Sequence, residues 1–172
     1  MNKKTHTLTL SALFSALSVI SLYIASVWPT GLLGLTAVAS LFVAAAVVEA
    51  GVRPGLYVYI VVSVIGFLIL PNRSASLLFI VFFGYYPIVK CLFEQVGAVF
   101  LQWILKLAVF NLSLSSVYFL LSELIFDISE NMPGTALLYI CGNIVFAIFD
   151  HGLSKLLRLY MDRISKILKK GK

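Results

Sequence analysis

The sequence predicts an all-α membrane protein, a six-transmembrane-helix bundle with both termini cytoplasmic, and three observations carry that prediction. Of its 172 residues 61% are hydrophobic and only 12% charged, whereas a soluble domain carries about 25% charged residues. Mean hydropathy is +1.04. The apolar runs are broken only by short polar punctuation. At about 20 residues per crossing, six spans leave room for loops and tails but none for a soluble domain, so residues 1–172 read as one integral membrane domain.

The first span covers about 7–27 and stops at Trp28-Pro29, an interfacial aromatic followed by a helix breaker. Its basic start resembles a signal peptide, but no small-residue cleavage site leads into a soluble segment; a retained first helix is expected. The second span, about 32–48, is rich in Ala, Gly and Val and ends in the turn from Glu49 to Pro54. The third covers about 55–70 and closes at Pro71-Asn72-Arg73-Ser74. The fourth, about 75–89, carries Gly84, Tyr85, Tyr86 and Pro87, which predict a kinked, polar-capable segment, and ends at Lys90. Between Lys90 and Lys106 the polar residues Glu94, Gln95 and Gln102 recur at helical spacing, which predicts an amphipathic approach lying at the membrane interface. The fifth span is about 105–121. An acidic loop from Glu123 to Gly134 leads to the sixth span, about 135–156, and a basic amphipathic tail over 157–172.

Charge decides which side is which. With the amino terminus inside, the inner side holds Lys3, Lys4, Arg53, Lys90, Lys106, Lys155 and six basic tail residues, while the outer side holds only Arg73. Twelve against one is a positive-inside signal. The net charge of +6 is therefore read as topology and lipid-headgroup contact, not as a nucleic-acid surface. No internal repeat suggests the inverted halves of a secondary transporter.

Catalytic chemistry finds little support. His6 and His151 are the two histidines, and neither belongs to a metal-binding or nucleophile-activating pattern. Asp150-His151 reads as an interfacial polar pair near the inner end of the sixth span, contacting headgroups or a neighbouring helix. Cys91 and Cys141 form no metal or redox grouping. No cofactor, no metal and no enzymatic activity are expected.

Polar and aromatic residues at membrane depth are more informative, because they are costly in hydrocarbon and mark cavities. Asn111 lies midway along the fifth span and Asn143 about two turns into the sixth; each alone reads as an interhelical hydrogen bond, and the two together suggest a shared polar pocket. Trp28, Tyr85, Tyr86 and Tyr139 supply aromatic faces of the kind that line pockets for planar ligands. Asn72 and Arg73, in the turn outside, suit an anionic group. In the first helix Ala12 and Ala16 are one turn apart, with Ser11, Ser15 and Ser18 beside them. Small residues at that spacing let a second helix approach closely, either within the bundle or from a partner.

Six spans, a short basic amino terminus and the Ala12-x-x-x-Ala16 first helix together resemble the substrate-binding S component of energy-coupling factor (ECF) vitamin transporters. The resemblance spans the chain in architecture and rests on one short motif. It implies that Ala12 and Ala16 dock on a membrane T component, and through it on two ATPases. It further implies that a vitamin or similar micronutrient is held near the extracellular side, in a bacterial cell membrane. No vitamin-specific signature is present. Two other classes fit the same composition: a non-transport scaffold similar to rod-shape-determining proteins of the MreD type, and a small oligomeric carrier or channel. Convergence of Asn111, Asn143 and Arg73 on one cavity separates a solute binder from a scaffold.

Overall fold

The computed structural model describes residues 3–124 and 135–170, and every element among them is helical. Helix α1 (Lys3–Val27) ends in a 3-10 turn over Pro29–Gly31 and reverses into α2 (Leu32–Ala50), after which α3 (Val52–Ile69) returns. The next crossing is broken into α4 (Arg73–Leu78), a π-helical turn (Phe79–Phe83) and α5 (Tyr86–Phe93). Helix α6 (Val99–Leu124) and the long α7 (Thr135–Lys170) complete the chain. Six segments are long and apolar enough to cross a membrane, the broken crossing counting as one from Arg73 to Phe93. The loop between Glu123 and Gly134 lies outside the described residues from position 125 onward.

The first three helices form the tightest unit, for reasons visible in their side chains. Ala39, Ala44, Ala45 and Ala46 of α2 are all buried, and small side chains let helix axes draw together in lipid. Gly51 turns the chain between α2 and α3 with φ +99°, a conformation that only glycine adopts without steric cost. One turn later Gly55 meets α2 so closely that a Cβ would lie 2.3 Å from Val47 Cγ2. On the α1 side, Ser18 Oγ donates to the carbonyl of Ala39 at 3.1 Å.

The broken crossing has an identifiable cause. Pro87 lacks an N–H and sits in the first turn of α5, so the helix before it cannot run through unchanged. In the π turn the Gly84 N–H donates to Phe79 O at 2.7 Å, a five-residue step that widens the helix and leaves the Ile80 carbonyl free of its usual helical donor. Tyr59 of α3 fills the gap, its hydroxyl donating to Ile80 O at 3.0 Å. Gly84 makes this approach possible: a Cβ there would stand 2.6 Å from the Tyr59 ring. The kink expected around Gly84 to Pro87 is thus a π turn held by a neighbouring helix.

Helices α6 and α7 join the rest mainly through an aromatic cluster. Phe82, Tyr86 and Phe146 are buried together, with Phe110 and Phe149 packed against them. Phe110 and Phe146 stack at 4.6 Å between centroids. Near its far end α7 touches α2, where Tyr160 donates to the Glu49 carboxylate.

The amphipathic approach expected between Lys90 and Lys106 needs correction. No separate interfacial segment lies there: α5 runs on to Phe93, a short turn follows, and α6 begins at Val99. The polar residues Lys90, Glu94, Gln102 and Lys106 find partners inside the protein, so they do not need a headgroup layer.

Candidate functional site

Two polar constellations sit among the apolar helices. The first lies between α6 and α7. Asn111 Nδ2 donates to Asn143 Oδ1 at 3.1 Å, and Asn143 Nδ2 donates back to Asn111 Oδ1 at 3.2 Å. Each carboxamide also donates to a carbonyl of its own helix, Leu107 O and Tyr139 O, both at 2.8 Å. One turn further along, the hydroxyls of Tyr139 and Ser115 bond at 2.6 Å. On the neighbouring turn of α6 the Tyr85 hydroxyl bonds Ser113 Oγ. The result is a seam of amides and hydroxyls whose outer end faces the side of the membrane opposite the termini.

The second constellation is ionic and lies toward the termini. Lys90 of α5 pairs with Asp150 Oδ1 of α7. Lys106 of α6 reaches Asp150 Oδ2 at 3.3 Å. Glu94, in the turn after α5, accepts from both lysines through Oε1, at 2.7 Å from Lys90 and 2.9 Å from Lys106. Tyr86 donates to Asp150 Oδ1 at 2.6 Å. Lys90, Lys106 and Asp150 have side chains only 2%, 6% and 5% exposed, against 44% for Glu94. Two cations and two anions leave the cluster neutral, which is the condition for burying charge without several kcal/mol of uncompensated cost.

Its depth can be judged along α7. Tyr160 marks the level of Glu49 at the end of α2, and Asp150 precedes it by ten residues, about 15 Å of helix. Lys90, Lys106 and Asp150 therefore belong to the spanning part of the bundle. Glu94 lies in the turn outside the spanning segments. Burial there pushes its pKa up, but hydrogen bonds and charge from Lys90 and Lys106 outweigh that and hold the carboxyl below its ordinary range.

The expected site residues divide accordingly. Asn111, Asn143, Tyr139 and Tyr85 line the seam or its margin. Tyr86 instead turns to Asp150 in the ionic cluster. Asn72 caps α4, its Oδ1 accepting from the Ser74 N–H at 2.9 Å. Arg73 is exposed with its guanidinium 5.5 Å from the centre of the Phe67 ring, and Trp28 is exposed beyond α1. Neither joins the amide pair, so of the expected convergence of Asn111, Asn143 and Arg73 only the two asparagines meet. Ala12 and Ala16 both face outward on α1, while Ser15 and Ser18 face into the bundle.

The ionic cluster is what sequence reasoning missed, and of the two contacts expected for Asp150-His151 it is the neighbouring helices, not headgroups, that Asp150 meets. Asp150 is buried among lysines and a tyrosine, while His151 alone is exposed. Lys90 and Lys106 likewise compensate internal carboxylates and do not simply flank a loop. The available signal was their placement: Lys90, Lys106 and Asp150 are each embedded in apolar runs, where an ionisable residue implies a partner. No protein-family model, curated protein or solved structure matches the chain.

Proposed function

We propose that this chain is the substrate-capture subunit of an ECF-type importer in the bacterial cell membrane, with both termini cytoplasmic. In that role it takes a vitamin or similar micronutrient from the extracellular side and docks on a T component that brings two ATPases. The observation that carries the reading is the rotation of α1. Its serines Ser15 and Ser18 are spent inside the bundle, and Ala12 and Ala16 are left on the outer surface. A shallow strip of this kind admits a partner helix at close range.

The charge balance supports the orientation. With Lys90 and Lys106 set aside as internally compensated, the termini side still holds ten basic residues against Arg73 alone on the other. For the solute, the seam offers Asn111, Asn143, Tyr139 and Tyr85 above the Phe82, Phe110 and Phe146 cluster. Arg73 stands apart from it, so the solute is a neutral, hydrogen-bonding molecule with a planar face, not an anion clamped by a guanidinium.

A second reading, a MreD-type scaffold, is favoured by two observations: Arg73 does not converge with the two asparagines, and each carboxamide of the Asn111–Asn143 pair already has two partners without any ligand. Native mass spectrometry of the purified protein separates the two. An importer subunit carries a co-purifying small molecule that Asn111→Leu with Asn143→Leu removes. A scaffold carries none, and the same double variant only lowers its melting temperature. For the docking surface, Ala16→Trp is expected to abolish co-purification with a T component while the isolated subunit melts unchanged; undiminished complex would refute the docking role.

A further inference from the structure

We propose that Lys90 and Lys106 form a binding site for the monoanionic phosphodiester of an anionic phospholipid, closed in this conformation by the Glu94 carboxylate. Lys90, Lys106 and Asp150 come from three different helices, are almost wholly buried, and sum to one positive charge. They require one monoanion, and Glu94 supplies it through a single oxygen shared by both ammonium groups.

Glu94 differs from the other three in every respect that bears on displacement. It follows the last residue of α5, in the turn before Val99, and nearly half of its side chain is exposed. The helices hold the lysines in place whether or not Glu94 remains. A phosphodiester has the same charge as the carboxylate and more acceptor oxygens, so it satisfies both lysines at once.

The surroundings point to an amphiphile. Directly after the turn, Val99, Phe100, Trp103 and Ile104 expose apolar side chains, and Trp103 lies under Lys106 with the ammonium 5.7 Å from its ring centre. The outward face of α6 also stays apolar past Lys106, with Leu112 and Phe119 exposed, so acyl chains can run along it below a phosphate held at the lysines.

The test uses the full-length protein in detergent, mixed with equal amounts of phosphatidylglycerol and phosphatidylcholine, with bound lipid counted by native mass spectrometry. Glu94→Gln should raise the preference for phosphatidylglycerol about tenfold, which corresponds to ~1.4 kcal/mol, and adding Lys106→Gln should remove the gain. Glu49→Gln, the same change in net charge elsewhere on that side, should leave the preference unaltered. Glu94→Asp keeps the charge but shortens the reach to the two lysines, and should show part of the gain even where the Gln variant fails to fold. Equal preference in wild type, Glu94→Gln and Glu94→Asp overturns the proposal. So does displacement of the lipid by an equal concentration of inorganic phosphate, which would make the site a free-anion site with no use for the apolar face.

Discussion

At the scale of single residues, Asp150 holds the most consequential position. It is the shared acceptor of Lys90, Lys106 and Tyr86, and its removal leaves two buried cations with only Glu94 between them. Breaking a buried pair in this way costs on the order of 3–5 kcal/mol. Asp150→Leu should therefore lower the melting temperature in detergent sharply. Asp150→Leu with Lys90→Leu leaves Lys106 and Glu94 as a neutral pair, and should melt above the single variant. A double variant as unstable as the single one would show that the cluster is not held by charge compensation. Glu94 adds a pH dependence with a definite sign. Its folded pKa lies below the ordinary 4.5, so its contribution is fully present above about that pH and is lost as pH falls through the lower folded value. Being half exposed, it contributes about 1 kcal/mol after solvent screening. The gap in melting temperature between wild type and Glu94→Gln should stay constant from neutral pH down to mildly acidic conditions and close only below pH 4.5. A gap that closes near neutrality would contradict the ion-pair geometry.

At the scale of elements, the broken crossing decides where Tyr85, Tyr86 and Lys90 point. The π turn shifts the rotational register of the residues after it, so that Tyr85 meets α6 at Ser113 while Tyr86 meets α7 at Asp150. Tyr59 holds the turn by its hydroxyl, and Gly84 gives its ring the space. Gly84→Ala would press a methyl group into the Tyr59 and Phe79 rings at 2.6 Å, an overpacking that costs about 1–3 kcal/mol. The melting temperature should fall accordingly, whereas Gly97→Ala, with nothing within 4 Å of the added carbon, should not change it. Equal melting of both variants would mean that the close approach at Gly84 is not required. Helix α1 depends on rotation in the same way. Its small residues were legible in the sequence, but which of them face outward depends on the packing of Ser18 against Ala39.

At the scale of the whole molecule, the bundle combines a tight α1–α2–α3 unit with a more open pair, α6 and α7, joined to the broken crossing by aromatic packing and the ion cluster. Both polar constellations lie along that second part, one toward each side of the membrane. The proposed cytoplasmic placement of the termini is testable with single cysteines in a background lacking Cys91 and Cys141. A cysteine at Arg53 should be shielded from an impermeant maleimide in intact cells, and one at Arg73 should react. The opposite pattern would reverse the topology and move the amide seam to the inner side.

Much of this architecture could be read from composition, because bilayer thickness sets helix length and hydrocarbon penalises polar backbone and side chains alike. Six crossings, their approximate limits and the break at Gly84 to Pro87 all follow from local chemistry. The amide pair was legible in part, since Asn111 and Asn143 are conspicuous in apolar helices. The ion cluster was not. Lys90 and Asp150 are separated by 60 residues, and although their apolar surroundings imply a partner, residue order does not say which. Hydropathy is a property of each segment in turn, so residue order is enough to fix how many helices cross and how long they are. Which charges meet inside is a property of helix rotation and relative depth. Those are set by side-chain packing among α5, α6 and α7, and they emerge only once the helices are assembled.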